Sequence, residues 1–160
     1  METTRRYHRQ RSFLRTHQSL LEKYMGAWSH ESFGNDDACD FASDLLEVKD
    51  LSLLEEALDA VVEIGNDYLE APEASRAIAA AEIVARLQGN WGIRDAYSET
   101  ADSWVEKAGL RPDSTLVQKA DEAIERILIE PSELLELWQE SENSDLWMNS
   151  VRDLRSRLSS

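Results

Sequence analysis

Apolar positions along the chain recur at the three-to-four-residue spacing of helices, and no alternation long enough for a strand is present. Asn35 or Asp36 can cap a first helix running to about Glu47. Ser52-Leu53-Leu54-Glu55 has the form of a capping box, opening a helix whose Leu54, Leu58, Val61, Val62 and Gly65 share one face. Pro72 suits the first turn of the next helix, which carries Ala77, Ile78, Ala81, Val84 and Leu87 and stops at Gly89. Its alanine stripe predicts close approach by a neighbour. After a Gly89-Asn90-Trp91-Gly92 loop, Glu99 to Ala108 reads as a short helix closed by Gly109. Pro112-Asp113-Ser114 starts another, with Val117, Ala120, Ile124, Ile127 and Leu128 inward. Pro131 breaks the chain, and beyond it lies a divided last helix, 132–140 and 144–158; the second part has Trp147, Val151, Leu154 and Leu158 at i, i+4, i+7 and i+11. The pattern predicts an all-α fold, a compact bundle of about six helices with short loops. Leu58, Val61, Val84, Ile124, Trp138, Trp147 and Val151 are its expected core, and Trp104 is expected to be buried as well.

Charge changes the picture more than composition does. The 160 residues are 42% hydrophobic and 31% charged, as in an ordinary globular domain. Thirty-two acids against 17 bases give a net charge of −15, but the distribution is uneven. Residues 1–24 hold Arg5, Arg6, Arg9, Arg11, Arg15 and Lys23 against Glu2 and Glu22, a net of +4 that leaves −19 for the rest. Residues 36–73 hold thirteen acids and one base, Lys49. The expected organisation is a basic N-terminal extension over 1–24 and a single acidic helical domain over 25–160, with Met25 a candidate natural start. The extension spaces Phe13, Leu14, Leu20, Leu21 and Tyr24 like a short amphipathic helix, or it is a frayed tail. The acidic field repels phosphate, so nucleic acid is not an expected partner. No run of about 18 apolar residues is present, so no membrane span is expected. The lone Cys39 and the missing secretory stretch point to the cytoplasm.

The supply of chemistry is small. Of three histidines, only His30 belongs to the acidic domain, and no zinc, calcium, di-metal or phosphate-loop motif occurs. No catalytic residue and no cofactor is expected. Cys39 lies among Asp36, Asp37 and Asp40, which suppress a thiolate, so it reads as an inert packed thiol. Asp36, Asp40 and Asp44 stand four apart, on one face of a helix. Asp40 and Asp44, too far inside to be caps, are solvated, paired with an arginine such as Arg76, Arg86 or Arg94, or functional. Trp28 and Trp91, in loops beside glycine, read as lids over the core or as recognition anchors.

From Met25 onward the chain resembles a bacterial family of uncharacterised proteins, domain-of-unknown-function family 4259. The resemblance rests on Met25-Gly26-Ala27-Trp28, Phe33-Gly34-Asn35-Asp36-Asp37-Ala38, Asp40-Phe41 and Asp44-Leu45. It continues through Ala79-Ala80-Ala81-Glu82-Ile83-Val84-Ala85 and Ser132-Glu133-Leu134-Leu135-Glu136-Leu137-Trp138, then Trp147, covering residues 25 to about 158. It implies a bacterial, cytoplasmic helical domain and does not imply an activity.

The functional expectation is a non-catalytic protein-binding module, in its most concrete form an immunity or antitoxin-type protein, that turns an acidic face to a basic protein partner. The expected contact residues are Trp28, Asp36, Asp37, Asp40, Asp44, Glu55, Glu56 and Asp59. The alternative is a metal-binding protein or metal-dependent enzyme built on Asp36, Asp40 and Asp44.

Overall fold

In the computed structural model, which describes residues 29–160, the alanine-rich segment becomes the central helix. The expectations placed on residues 1–28, including Trp28, the basic extension and the Met25 start, lie outside the described residues. Seven helices follow one another: α1 (Asp36–Leu45), α2 (Ser52–Val62), α3 (Ala71–Leu87), α4 (Glu99–Ala108), α5 (Ser114–Ile127), α6 (Glu133–Gln139) and α7 (Ser144–Leu158). Helices α6 and α7, the divided last helix of the sequence pattern, both follow Pro131. Helix α3 touches each of the other six. Ala74, Ala77, Ala79, Ala80, Ala81 and Ala85 are all fully buried, because small side chains let neighbouring helices close in on every side. Among the described residues no strand forms, only a single parallel bridge between Leu69 and Ser132. No described helix is long and apolar enough to cross a membrane.

Three helix ends follow the local signals in the sequence closely. Asn35 caps α1 by accepting from the Ala38 N–H (2.8 Å), and Asp113 caps α5 by accepting from the Leu116 N–H (2.8 Å). Gly109 closes α4 at φ 62°, in the left-handed region. The capping box expected at Ser52 does not form. The Ser52 N–H and hydroxyl both donate to the Asp50 carboxylate (3.1 and 2.6 Å), so the helix starts at Ser52 itself, with Leu51 as a cap that offers no side-chain bond. An aspartate two residues upstream is a stronger acceptor than a hydroxyl, and it captures the serine first.

The expected core is the observed one: Leu58, Val61, Val84, Ile124, Trp138, Trp147 and Val151 are buried in one cluster. Trp138 and Trp147 stack with centroids 6.0 Å apart, joining α6 to α7. Trp104 is buried too, its indole N–H donating to the Val48 carbonyl (3.2 Å).

Two charges break the apolar run of α3. Glu82 is 2% exposed and Arg86 3%. Arg86 donates through Nε to Glu82 Oε2 (3.0 Å), through Nη1 to Asp102 of α4, and through Nη2 to the Ile93 carbonyl (2.7 Å). Arg157 of α7 forks onto Glu82 (2.6 and 3.0 Å), and the Ser32 hydroxyl donates to it as well (2.9 Å). The Ser98 hydroxyl completes Asp102 (2.7 Å). Phe33 lies 5.6 Å and Trp91 5.5 Å from the Arg86 guanidinium. The network therefore ties the 29–35 loop, the 89–95 loop, α4 and α7 to the central helix. Gly92 belongs to it: a Cβ there would stand 2.7 Å from Arg157 Nη2, which Glu82 holds in place. Gly34 leaves similar room for the Ser29 backbone.

Burial pushes the Glu82 carboxyl up, but the hydrogen bonds and charge of Arg157, the charge of Arg86 and the Ser32 hydroxyl outweigh it and hold it below its ordinary 4.5. A carboxyl that binds its proton less readily folded than unfolded adds stability that is complete above about pH 4.5. That stability drains as pH falls through the lowered folded value. The melting temperature is therefore expected to drop on acidification below that point. Glu82→Gln is expected to cost about 3–5 kcal/mol at neutral pH, because it removes the carboxylate that Arg86 and Arg157 share and leaves the buried Arg86 with Asp102 alone, and to remove that part of the acid dependence. Urea denaturation across pH measures both. Trp138→Ala, which opens a cavity beside Trp147, is expected to cost about 3–5 kcal/mol in the same assay; a loss under about 1 kcal/mol would contradict the packing described.

Candidate functional site

Seven acids singled out from the sequence fall on α1 and α2, and the fold treats them differently. Asp36 and Asp37 occupy the first turn of α1, where carboxylates favour the exposed N–H groups. Asp36, Asp40, Asp44, Glu55 and Glu56 are exposed. None of Asp36, Asp40 and Asp44 makes an ion pair among the described residues, so the pairing with Arg76, Arg86 or Arg94 does not occur. Those arginines are taken elsewhere: Arg76 by Glu73 (3.5 Å), Arg86 by Glu82 and Asp102, Arg94 by Glu106 (2.9 Å) and Asp102 (3.5 Å). Asp59 is committed to Lys119 of α5 (2.7 Å). Among the described residues no three histidine, cysteine, aspartate or glutamate side chains are gathered so as to hold a metal ion, the Asp36, Asp40 and Asp44 set included.

Cys39 is half-buried and donates to the Phe33 carbonyl (3.4 Å). Burial, then Asp36, Asp40 and Asp95, push its thiol up, as the aspartates around it in sequence foretell. The buried Glu82 and Asp102 are saturated by serine and arginine donors and closed to solvent. They hold helices together and present nothing to a substrate.

What the fold adds is a groove. A cleft of about 250 Å³ opens between α1, α2 and the start of α3. Its apolar lining is Phe41, Leu53, Ala57 and Ala60; its charged lining is Asp44, Glu56, Glu73 and Arg76. Phe41 is buried, and Ala60, Asp44 and Glu56 are exposed, so the cleft runs from an apolar base to an acidic rim. Asp37 stands close by. Burial raises its carboxyl, Arg76 lowers it, and Asp40, Asp36 and Glu73 add to the rise, leaving it above its ordinary value. Glu73 Oε2 is shut off from solvent and has no hydrogen-bond partner. Sequence reasoning found Asp37, Asp44 and Glu56 but missed Glu73, whose only signal is a carboxylate one residue after Pro72 in the first turn of an alanine-rich helix.

A second, smaller cavity of about 20 Å³ lies under the 29–35 loop against Trp138 and Trp147, where the buried Ser75 hydroxyl has no protein partner. That volume suits one water molecule, not a ligand.

Asp37 binds its proton more readily folded than unfolded, so its ionised form works against the fold. Stability from this group grows as pH falls through its raised value and is lost above it. Asp37→Asn is therefore expected to hold or raise the melting temperature at pH 7, within about 0.5 kcal/mol for a surface site. A clear fall would mean that the carboxylate has a structural partner.

A family described as Domain of unknown function (DUF4259) matches residues 26–150. No curated protein and no solved structure matches the chain. The matched span takes in the acidic groove and the Glu82 network apart from Arg157, and ends within α7; the chain belongs to the DUF4259 family.

Proposed function

We propose that this protein is a non-catalytic binding module whose α1–α2 face docks a basic protein. One observation carries the reading: Asp44 and Glu56, which make no ion pair among the described residues, line a cleft with an apolar base. The residues that carry the family resemblance divide accordingly. Phe33 packs under Arg86, Gly34 makes room for Ser29, Asn35 caps α1, Glu82 anchors the buried network, and Trp138 stacks on Trp147. Asp40 and Asp44 have no such task. Unpaired carboxylates beside an apolar cleft favour a cationic surface, speeding encounter and selecting against acidic partners. In its most specific form the partner is a nuclease-type toxin, and the carboxylates of residues 36–73 imitate the phosphate surface of the nucleic acid it cuts. The single cysteine is in keeping with a cytoplasmic setting.

Affinity capture from the native cell at low and at raised salt tests this. A basic protein retained at low salt is expected to be released as screening shortens the range of surface charge to about 8 Å. A chain carrying Asp37→Asn, Asp40→Asn and Asp44→Asn is expected to associate at least tenfold more slowly while melting like the wild type. Retention indifferent to salt and to the triple change would overturn the reading. So would a rise in melting temperature with magnesium, manganese, calcium or zinc that the triple variant loses, which would restore the metal alternative.

A further inference from the structure

We propose that Arg126 is a latch: its guanidinium holds the ends of α2 and α5 and the approach to α6 together, and its release opens that corner while the other helices stay folded. The case starts from helix direction. Asp59 of α2 pairs with Lys119 of α5, and further along Gly65, just past α2, accepts from Arg126. The contacts advance in the same order on both helices, so α2 and α5 run parallel and bring their C-terminal ends side by side. Each end presents carbonyls without helical partners and a partial negative charge. Helix α2 has no basic residue in its last turn, and α5 has Arg126. That one side chain serves both ends. Its Nε donates to the Gly65 carbonyl (2.8 Å), Nη1 to that of Ile129 (2.8 Å), and Nη2 to those of Asp67 (2.7 Å) and Pro131 (3.0 Å). In a chain of net charge −15 it makes no ion pair among the described residues, and its charge is spent on two loops instead. Packing does little there, since Gly65, Asp67 and Ile129 are exposed. Next to the latch the Leu69 N–H donates to the Pro131 carbonyl (3.1 Å) and the Glu133 N–H to the Leu69 carbonyl (2.9 Å), so this backbone pairing begins at a carbonyl that Arg126 also holds. None of these groups belongs to the Glu82 network or lines the cleft between α1, α2 and α3. The corner is therefore a local unit of opening, and the binding reading stands or falls apart from it.

Amide hydrogen exchange on the full chain, read residue by residue, tests this in the wild type, Arg126→Gln and Arg126→Lys. In Arg126→Gln the Leu69, Ile129 and Glu133 amides are expected to exchange about tenfold faster or more, as for loss of hydrogen bonds to a charged group. The Ile83 and Val84 amides in the middle of α3 are expected to keep their wild-type rates. Arg126→Lys is expected to restore only part of the protection, because an ammonium donates from one point and cannot span four carbonyls as the guanidinium fork does. If Arg126→Gln does not fold, Arg126→Lys decides by the same comparison of amides. Unchanged exchange at Leu69 and Glu133 in Arg126→Gln would overturn the latch. Equal acceleration at Ile83 and Val84 would overturn it as well, since Arg126 would then support the whole fold and not one corner. Full protection in Arg126→Lys would assign the effect to positive charge near two helix ends and overturn the fork as its cause.

Discussion

A carboxylate placed inside a helix that is surrounded on every side must be neutralised, and Glu82 imposes that demand on the rest of the fold. Helix α3 has no solvent-facing side along its last three turns, so Glu82 and Arg86 cannot reach water. Desolvating either alone would cost several kcal/mol. They offset each other first and then recruit Asp102 from α4, Arg157 from α7, Ser32 from the loop before α1 and the carbonyl of Ile93. Each recruit fixes where its own element packs. Alanine makes the close packing of α3 possible, while the charge network limits how α4 and α7 dock, since a shifted docking would leave a buried charge unpaired.

The same electrostatic logic separates structure from function in this molecule. Inside, every charge has a counter-charge and every polar atom of Glu82, Arg86 and Asp102 is used. On the α1–α2 face the bookkeeping stops: Asp36, Asp40 and Asp44 make no ion pair among the described residues, and Asp37 is disfavoured where it stands. A solubilising surface would mix its signs, as Arg155 does with Asp121 and Glu125 on the α5–α7 side. The one-sided charge around an apolar cleft is the feature that a partner of opposite sign would complete. Asp59 stands apart from that face, since Lys119 already satisfies it, and its place among the contact residues is the weakest of the seven acids.

The helices were legible because their signals are local. Asn35, Asp113, Pro72 and Gly109 act within a turn of their own positions, and Trp147, Val151, Leu154 and Leu158 declare a buried face by spacing alone. The acidic face was legible in the same way, since four-residue spacing puts Asp36, Asp40 and Asp44 on one side of any helix. Ser52 shows the limit even of local reading: the box motif was present, but Asp50 was the better acceptor. What no pattern along the chain could supply was partnership across sequence. Arg86 and Arg94 were equally plausible partners for the surface aspartates until α3 was surrounded and the 89–95 loop folded over it. Gly92 read as a loop glycine until Arg157, sixty-five residues on, came to lie against it. Glu73 had no distinction until Phe41, Leu53 and Ala57 formed a cleft beside it. Sequence determined the elements, the core and the sign of the surface, because those depend on residue type and near neighbours. Tertiary structure decided which charges are spent on the fold and which remain free, because pairing depends on distance in space and on the water that packing removes.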